Sequence, residues 1–338
     1  MQTVGRLLET AAGFILAFAV AALSWFLGRL VPLVGAPIFA IMIGMSLSFF
    51  RKPERVERGL AFTARGVLQY SIVLLGFSLD LGVVARIGAH SLGVMVFTIA
   101  AALLTAYLMG RLLRLDARIA TLVGVGTAIC GGSAIAAAAP VIDANEEEVA
   151  FSISTIFLFN IIAVFLFPVL GHLMRMSQQD FGLWAGTAVN DTSSVVAAAF
   201  SYGDDAGRYA TVVKLTRTLM IIPIVLVLAL VRMRSGAGHG AAVNVKRIIP
   251  WFVVAFLAAS LLRTVVRMPA GTASSLSEVG KFGICVAMAA IGLRSNPLKL
   301  VRRGAGPILL GLACWASVAV VALLVQSIGA WLQPGSPG

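Results

Sequence analysis

The chain is poor in charged residues and has no long polar segment. Asp, Glu, Lys and Arg make up only 12% of its 338 residues, about half the roughly 25% that is usual in soluble domains. No polar stretch exceeds roughly 15 residues, which is too short to form a hydrophobic core. The sequence therefore excludes a separate soluble domain. It predicts one membrane-embedded domain over residues 1–338, which could divide into halves 1–175 and 176–338.

The chain also lacks the patterns of several kinds of chemical site. Its three cysteines, Cys130, Cys285 and Cys314, show no CxxC spacing, so no disulfide framework is expected. The glycine-rich segment 124–132 lacks the Gly-Lys-Ser/Thr ending of a phosphate-binding loop. We recognise no metal cluster and no nucleophile–base pair. We therefore expect no enzyme activity and no cofactor, apart from a coupling H⁺ or Na⁺.

Apolar blocks dominate the chain instead. Hydrophobic residues make up 59% of it, and the mean hydropathy is +0.98. The blocks are about 20 residues long, which is the length of a helix that crosses a bilayer. The sequence thus predicts an all-α polytopic membrane helix bundle of about eleven transmembrane helices joined by short turns and one longer linker at 233–246. The predicted spans are 11–30, 33–50, 61–82, 88–109, 119–142, 150–174, 181–201, 208–232, 248–266, 276–293 and 305–331.

The net charge of +12 comes from basic residues in short loops between the spans. This is the positive-inside pattern of membrane proteins, not a nucleic-acid-binding surface. When the loops are assigned to alternate sides of the membrane, most of the basic residues lie on one side, which we predict to be cytoplasmic. These residues are Arg6, Arg51, Lys52, Arg55, Arg58, Arg65, Arg111, Arg114, Arg118, Arg175, Arg232, Arg234, Lys246, Arg247, Arg294, Lys299, Arg302 and Arg303. The other side would carry Arg29, Arg86, Arg208, Arg263 and Arg267 with the acidic residues Asp143, Glu146, Glu147, Glu148, Asp204 and Asp205. The N-terminus is therefore predicted to be cytoplasmic and the C-terminus outside.

Two predicted spans contain nearly matching interruptions. Residues 126–139 read GTAICGGSAIAAAA, and residues 186–199 read GTAVNDTSSVVAAA. Small polar residues in mid-membrane expose backbone groups, which is tolerated only inside protein or beside a water-filled cavity. Paired interruptions indicate a transporter's binding site. The two copies run parallel if every segment crosses the membrane, and antiparallel if one segment is re-entrant.

Four ionisable residues remain at membrane depth: Asp191, Lys214, Arg217 and Lys281. A charge near the bilayer centre costs at least ~2.5–3.5 kcal/mol, so such residues face the bundle interior and indicate a functional site. Lys214 and Arg217 share one helix face, and Asp191 is the expected partner of either. Lys281 lies one turn beyond its expected partner, Glu278. Three positive charges against one negative charge favour a bound anion, although a buried Asp191–Arg217 pair that only fixes helix packing is an alternative.

The other candidates are the small residues of the interruptions. Backbone N–H groups at the starts of half-helices attract anions, and hydroxyl and amide groups can bind oxyanion oxygens or a coupling cation. Asn160, in mid-span, is interpreted as an interhelical hydrogen-bonding residue. Asp191, Asn190 and Lys281 are the candidates for ion coupling. The predicted substrate-binding set is Cys130, Gly131, Gly132, Ser133, Asn190, Asp191, Thr192, Ser193, Ser194, Lys214 and Arg217.

The strings GVGTAICGGSAIAAAAPVI (124–142) and WAGTAVNDTSSVVAAA (184–199) resemble the signature segments of the YeiH-like family of bacterial inner-membrane proteins, which is named for sulfate export. VKLTR (213–217) and AAIGL (289–293) fit the same family, and the resemblance covers nearly the whole chain. It implies a transporter in the bacterial inner (plasma) membrane. A more distant likeness to sodium–bile acid symporters and cation–proton antiporters implies inverted repeats, helices broken at mid-membrane, and a panel and a core domain that move past each other.

These observations predict a secondary transporter that moves a small anion (sulfate, sulfonate or small carboxylate) by alternating access. Its expected partners are that solute and the lipid bilayer, with no nucleic acid; a homo-oligomer is left open. The first alternative is a sodium or proton antiporter with Asp191 as the ion carrier. A channel fits less well, because channels usually place rings of groups from several subunits around a pore.

Overall fold

The computed structural model describes residues 2–31, 35–50, 52–234, 250–266, 268–295 and 305–332. All regular elements in these ranges are helical, which confirms the predicted all-α membrane bundle. Most of the linker predicted at 233–246 lies outside the described residues. So do Arg51, Lys246, Arg247, Arg267, Lys299, Arg302 and Arg303.

The helices follow the predicted spans closely, with breaks inside several of them. Among the described residues, seven helical stretches are long and apolar enough to cross a membrane. A π turn (Thr63–Val67) joins α3 to α4, and a 3₁₀ turn (Ala139–Val141) follows α7. In chain order the helices are α1 (Gln2–Leu30), α2 (Ala36–Leu47), α3 (Glu54–Phe62), α4 (Leu68–Gly76), α5 (Leu81–Leu112), α6 (Ala117–Ala128), α7 (Gly132–Ala138), α8 (Glu146–Leu173), α9 (Gln178–Ala188), α10 (Thr192–Tyr202), α11 (Asp204–Leu219), α12 (Ile221–Arg234), α13 (Trp251–Val266), α14 (Ala270–Arg294) and α15 (Ala305–Leu332).

The predicted span 119–142 does not cross the bundle. Helix α6 has 12 residues, about 18 Å at 1.5 Å per residue, against roughly 30 Å of bilayer hydrocarbon. The chain turns after Ala128 and returns as α7. Arg118, at the start of α6, forms a 3.6 Å ion pair with Glu148, at the start of α8. Both ends of the segment therefore lie at the same end of the bundle. We call α6–α7 hairpin 1 and this end the Arg118 end.

The predicted span 181–201 folds back in the same way from the opposite end. The Tyr202 hydroxyl, at the end of α10, donates a 2.5 Å hydrogen bond to the Met176 carbonyl, just before α9. The Tyr202 ring stacks on Phe181, near the start of α9, with 3.9 Å between centroids. The 28-residue helix α8 separates the two hairpins along the chain. We call α9–α10 hairpin 2 and this end the Asp204 end.

The hairpins correct the predicted sides of two loops. The acidic run at 143–148 lies at the Arg118 end, whereas alternation had placed it on the other side; Arg175 follows α8 and lies at the Asp204 end. The prediction was wrong because it let every apolar segment cross. Each hairpin reverses the alternation once, so the two errors cancel for every loop after 203. The same geometry shows that the two copies of the repeated motif run antiparallel.

Polar side chains cap the first turns of α6, α8, α9 and α10. The side chains of Asp116, Ser177 and Asp191 each accept a backbone N–H in the first turn of α6, α9 and α10. At the start of α8, Asn145 and Glu148 bond reciprocally to each other's backbone N–H at 2.8 and 2.7 Å. Such caps contribute typically about 1 kcal/mol each.

The helices form two groups with separate apolar cores. The hairpin bundle comprises α5–α12 and α15, and its core includes Trp184 stacked on Phe167 at 4.2 Å. The wall bundle comprises α1–α4, α13 and α14, with Ile72 and Phe256 in its core. Residues of α10 and α11 such as Val196 also join the second core, so the two bundles meet along hairpin 2 and α11.

Candidate functional site

The tips of the two hairpins meet in the middle of the bundle. Lys214 of α11 donates hydrogen bonds to the carbonyls of Ile129 (2.8 Å) and Val189 (2.9 Å), one in each tip. A methyl group added at Gly131 would lie 3.6 Å from the Asp191 Cβ. The interruptions recognised in the sequence therefore form one site, which confirms that they break their helices.

The two tips turn by different means. Gly131 has φ 70° and ψ −125°, a conformation that glycine adopts readily and other residues do not. Its N–H donates to the Gly126 carbonyl at 2.8 Å. In hairpin 2 the matching position is Asp191, which has φ −94° and caps α10 with its carboxylate. The repeated motif thus preserves the turn but not its backbone geometry.

Arg217 closes the carbonyl end of α6. The last carbonyls of a helix have no partner within the helix. Arg217 donates to Thr127 O at 3.1 Å and to Ala128 O at 2.7 Å, and Lys214 binds the next carbonyl, that of Ile129. Cations stabilise this end of a helix, where the partial charge is negative. Both basic side chains are fully buried.

Asp191 does not form the ion pair that we expected with Lys214 or Arg217. Its carboxylate accepts hydrogen bonds from the backbone N–H of Ser193 at 2.9 Å and from the Ser193 hydroxyl. The partial negative charge of the two half-helix ends takes the place of the expected partner. Asp191 lines the cavity, whereas the two basic side chains are fully buried.

A cavity of about 900 Å³ lies between the hairpin bundle and the wall bundle. Arg294, which is exposed, lines this cavity. It lies at the end of α14, far from Lys281 of the same helix, which pairs with Asp204. The cavity therefore opens at the Arg118 end. The hairpin tips line its inner part with Gly132, Ser133, Asp191, Thr192 and Ser193.

Asn160 of α8 also lines this cavity and is 2% exposed. Its side-chain oxygen accepts the Asp191 backbone N–H at 3.1 Å, which confirms the predicted interhelical hydrogen bond. In the part of the chain that the structure describes, its amide nitrogen has no partner.

Unpartnered polar atoms are concentrated around the tips. Among the described residues, ten buried side-chain N and O atoms lack a hydrogen bond, and five of them belong to Thr127, Asn160, Asn190 and Arg217. Buried polar groups are normally paired, so each exception needs an explanation. A bound solute or water would satisfy these atoms.

The structure divides the predicted site residues into three groups. Gly132, Ser133, Asp191, Thr192 and Ser193 line the cavity. The others near the tips are buried: Cys130, Gly131, Asn190, Ser194, Lys214 and Arg217.

Lys281 lies elsewhere and forms the third group. It bonds to Glu278 at 2.8 Å, as expected, and to Asp204 at 2.5 Å. It lines a smaller cavity of about 240 Å³ with Trp25 and Arg29.

Sequence reasoning missed the wall of the cavity opposite the tips. Arg65, Gln69 and Arg294 line that wall, but Arg65 and Arg294 were interpreted only as loop charges. The π turn that carries Arg65 leaves no composition signal, because it contains only one extra residue per turn. The one available signal was the position of Arg65 at the start of an apolar run.

Comparisons with known proteins agree with the fold. Residues 12–311 match the family described as Conserved hypothetical protein 698. A UPF0324 membrane protein of Streptococcus agalactiae serotype V is 47% identical over 334 residues, which is 96% of this chain and 99% of that protein. Another, from Streptococcus pyogenes serotype M3, is 47% identical and covers 94% and 97%. One from Streptococcus pneumoniae serotype 4 is 46% identical and covers 95% and 97%.

Proposed function

The chain belongs to the Conserved hypothetical protein 698 (UPF0324) family of multi-pass membrane proteins, and from this premise we propose that it is a secondary transporter of a small anion. The solute would be a sulfate, a sulfonate or a small carboxylate. The observation that carries the proposal is the meeting of two oppositely directed hairpins beside a cavity that opens at one end.

The charges around the tips favour an anion. Lys214 and Arg217 contribute two positive charges and Asp191 one negative charge. The half-helix ends carry roughly half a charge each, negative at the ends of α6 and α9 and positive at the starts of α7 and α10, so these contributions cancel. A surplus of about one positive charge remains. It rises to about two when Asp191 binds H⁺ or Na⁺, which would couple the ion to the solute.

Hydrogen-bond donors of Asn160 and Ser133 lie at the same cavity. Asn160 lines the cavity, and its buried amide nitrogen has no partner among the described residues. The Ser133 hydroxyl is exposed to the cavity on the other hairpin. Backbone and side-chain donors in this arrangement suit oxyanion oxygens.

A cavity that opens at one end supports alternating access, because an ion pair joins the two bundles at the opposite end. There Lys281 of the wall bundle pairs with Asp204 of the hairpin bundle. By the positive-inside rule we assign the Arg118 end, which carries Lys52, Arg111 and Arg114, to the cytoplasm of a bacterial inner membrane. The N-terminus would then be cytoplasmic, the C-terminus outside, and the conformation described here open to the inside.

A thermal-shift screen followed by liposome uptake tests the proposal. Sulfate, sulfonates and small carboxylates are added to purified protein, and a ligand that binds only the folded state raises its melting temperature. Ser133→Ala should weaken binding roughly two- to tenfold, the usual effect of one neutral hydrogen bond. Ser201→Ala is the matched control, since its hydroxyl bonds within α10 and does not line the cavity. The proposal fails if no anion is bound or transported.

The antiporter remains the second candidate, because Asp191 is the carboxylate at the tips and is only half-buried. Asp191→Asn separates the two functions, since asparagine still caps a helix but carries no charge. Loss of all transport with anion binding intact favours an ion carrier. Anion transport that continues without dependence on H⁺ or Na⁺ favours the anion transporter.

A further inference from the structure

The cavity wall opposite the hairpin tips carries two arginines with no assigned role. Arg65 belongs to the α3–α4 segment and Arg294 to the end of α14, and both line the cavity with exposed side chains. Among the described residues, neither arginine has a hydrogen bond or ion pair. Glu57 and Asp191 also line the cavity, so the described lining has no net charge. The position of each charged side chain therefore decides which ligand charge is bound at which part of the cavity.

Arg65 is held on an unusual piece of helix. It lies within the π turn Thr63–Val67, and π turns are rare and frequent at functional sites. The same helix face continues along the cavity with Leu68, Gln69 and Ile72. The wall thus presents a guanidinium and an amide beside aliphatic side chains.

Apolar side chains form about half of the lining. Leu68, Ile72, Phe157, Ile161 and Phe252 all face the cavity. The volume of about 900 Å³ lies within the range of about 300–1,000 Å³ that holds organic ligands. An inorganic anion such as sulfate would leave these apolar side chains in contact with water.

We propose that Arg65 binds the charged group of an organic anion, a sulfonate or carboxylate whose apolar body lies against this wall. The inference rests on the proposed function and narrows its substrate class. The guanidinium fork can bind two oxygens of such a group. Lys214 and Arg217 are less suited to this role, because both side chains are fully buried and already bind the carbonyl ends of the hairpins.

Binding measurements on purified protein test the proposal. The ligands are inorganic sulfate and alkanesulfonates of one to four carbons, with alkylammonium ions of the same lengths as the cationic control. Affinity should rise by about fourfold for each buried methylene. Arg65→Gln should lower sulfonate affinity by roughly tenfold or more, since a charge-assisted hydrogen bond is lost. Arg65→Lys should retain part of the affinity.

Arg58→Gln is the matched control. Arg58 lies on α3, pairs with Glu54 and is absent from the cavity lining, so the sulfonate affinity should not change. Sulfate that binds more tightly than every sulfonate would overturn the organic-anion class. An unchanged Arg65→Gln, alongside a weakened Ser133→Ala, would overturn the role of Arg65 but leave the proposed function standing. Wild-type protein that binds no anion would defeat both.

Discussion

At the residue scale, the two buried basic side chains of α11 hold the structure of the tips. Lys214 and Arg217 each donate two hydrogen bonds to the carbonyls of residues 127–129 and 189. The sequence indicated correctly that both charges lie in the interior. It did not indicate that backbone dipoles would be their partners, because a helix end carries no residue type that marks its charge. The expected pairing with Asp191 was wrong for this reason.

Arg217→Met should therefore destabilise the fold as well as impair transport. It leaves the carbonyls of Thr127 and Ala128 buried without a donor, at a cost of at least about 2 kcal/mol. The measurement is thermal unfolding in detergent. Arg208→Gln, nearer the start of the same helix, removes only a partly exposed ion pair with Asp205 and should cost less than about 1 kcal/mol. Equal melting temperatures for the two variants would contradict the capping role.

At the element scale, the re-entrant hairpins are the feature that hydropathy could not reveal. The spans predicted at 119–142 and 181–201 have the length and composition of crossing helices, and only their interruptions set them apart. The helix breaks lie at 129–131 and 189–191, inside the interruptions predicted at 126–139 and 186–199. Whether a broken helix continues or turns back depends on packing against α8 and α11, which a local sequence pattern does not contain.

Two adjacent glycines allow a sharp test of hairpin 1. Gly131→Ala should lower stability by about 1–3 kcal/mol, because its backbone conformation is strained for any residue with a Cβ. The added methyl would also lie 3.2 Å from Ile156. Gly132→Ala should be neutral or slightly stabilising, since no atom of the described residues lies within 4 Å of its added methyl and alanine favours helix. Thermal unfolding of both variants provides the comparison, and a reversed order would refute this view of the tip.

At the scale of the whole molecule, the two bundles touch at the Asp204 end through Lys281. This lysine has a partner on its own helix, Glu278, and one on the other bundle, Asp204. If the bundles separate there, the Glu278 bond can persist while the Asp204 bond breaks. The sequence predicted the Glu278 contact from spacing; it could not predict the Asp204 contact, which joins residues 77 positions apart. The predicted role of Lys281 in ion coupling stays a prediction.

Weakening this contact should shift the balance between inward-open and outward-open states. Asp204→Asn should raise the outward-open fraction by up to about fivefold, the value of a partly exposed ion pair. A cysteine introduced at Ser133 reports the change through labelling by a membrane-impermeant thiol reagent from either side. The native cysteines Cys130, Cys285 and Cys314 are buried. Glu278→Gln is the control and should change labelling less, because it leaves the bond between the bundles in place.

The hydrogen bonds from Lys214 to both tips restrict how the hairpins can move relative to each other. Separating the two hairpins would leave the Lys214 ammonium group without its carbonyl partners in an apolar interior. The two tips are therefore expected to move as one rigid unit. For the transporter proposed above, the expected change of access is a movement of both tips as one unit along the wall bundle, rather than the opening of separate gates on either side of a fixed site.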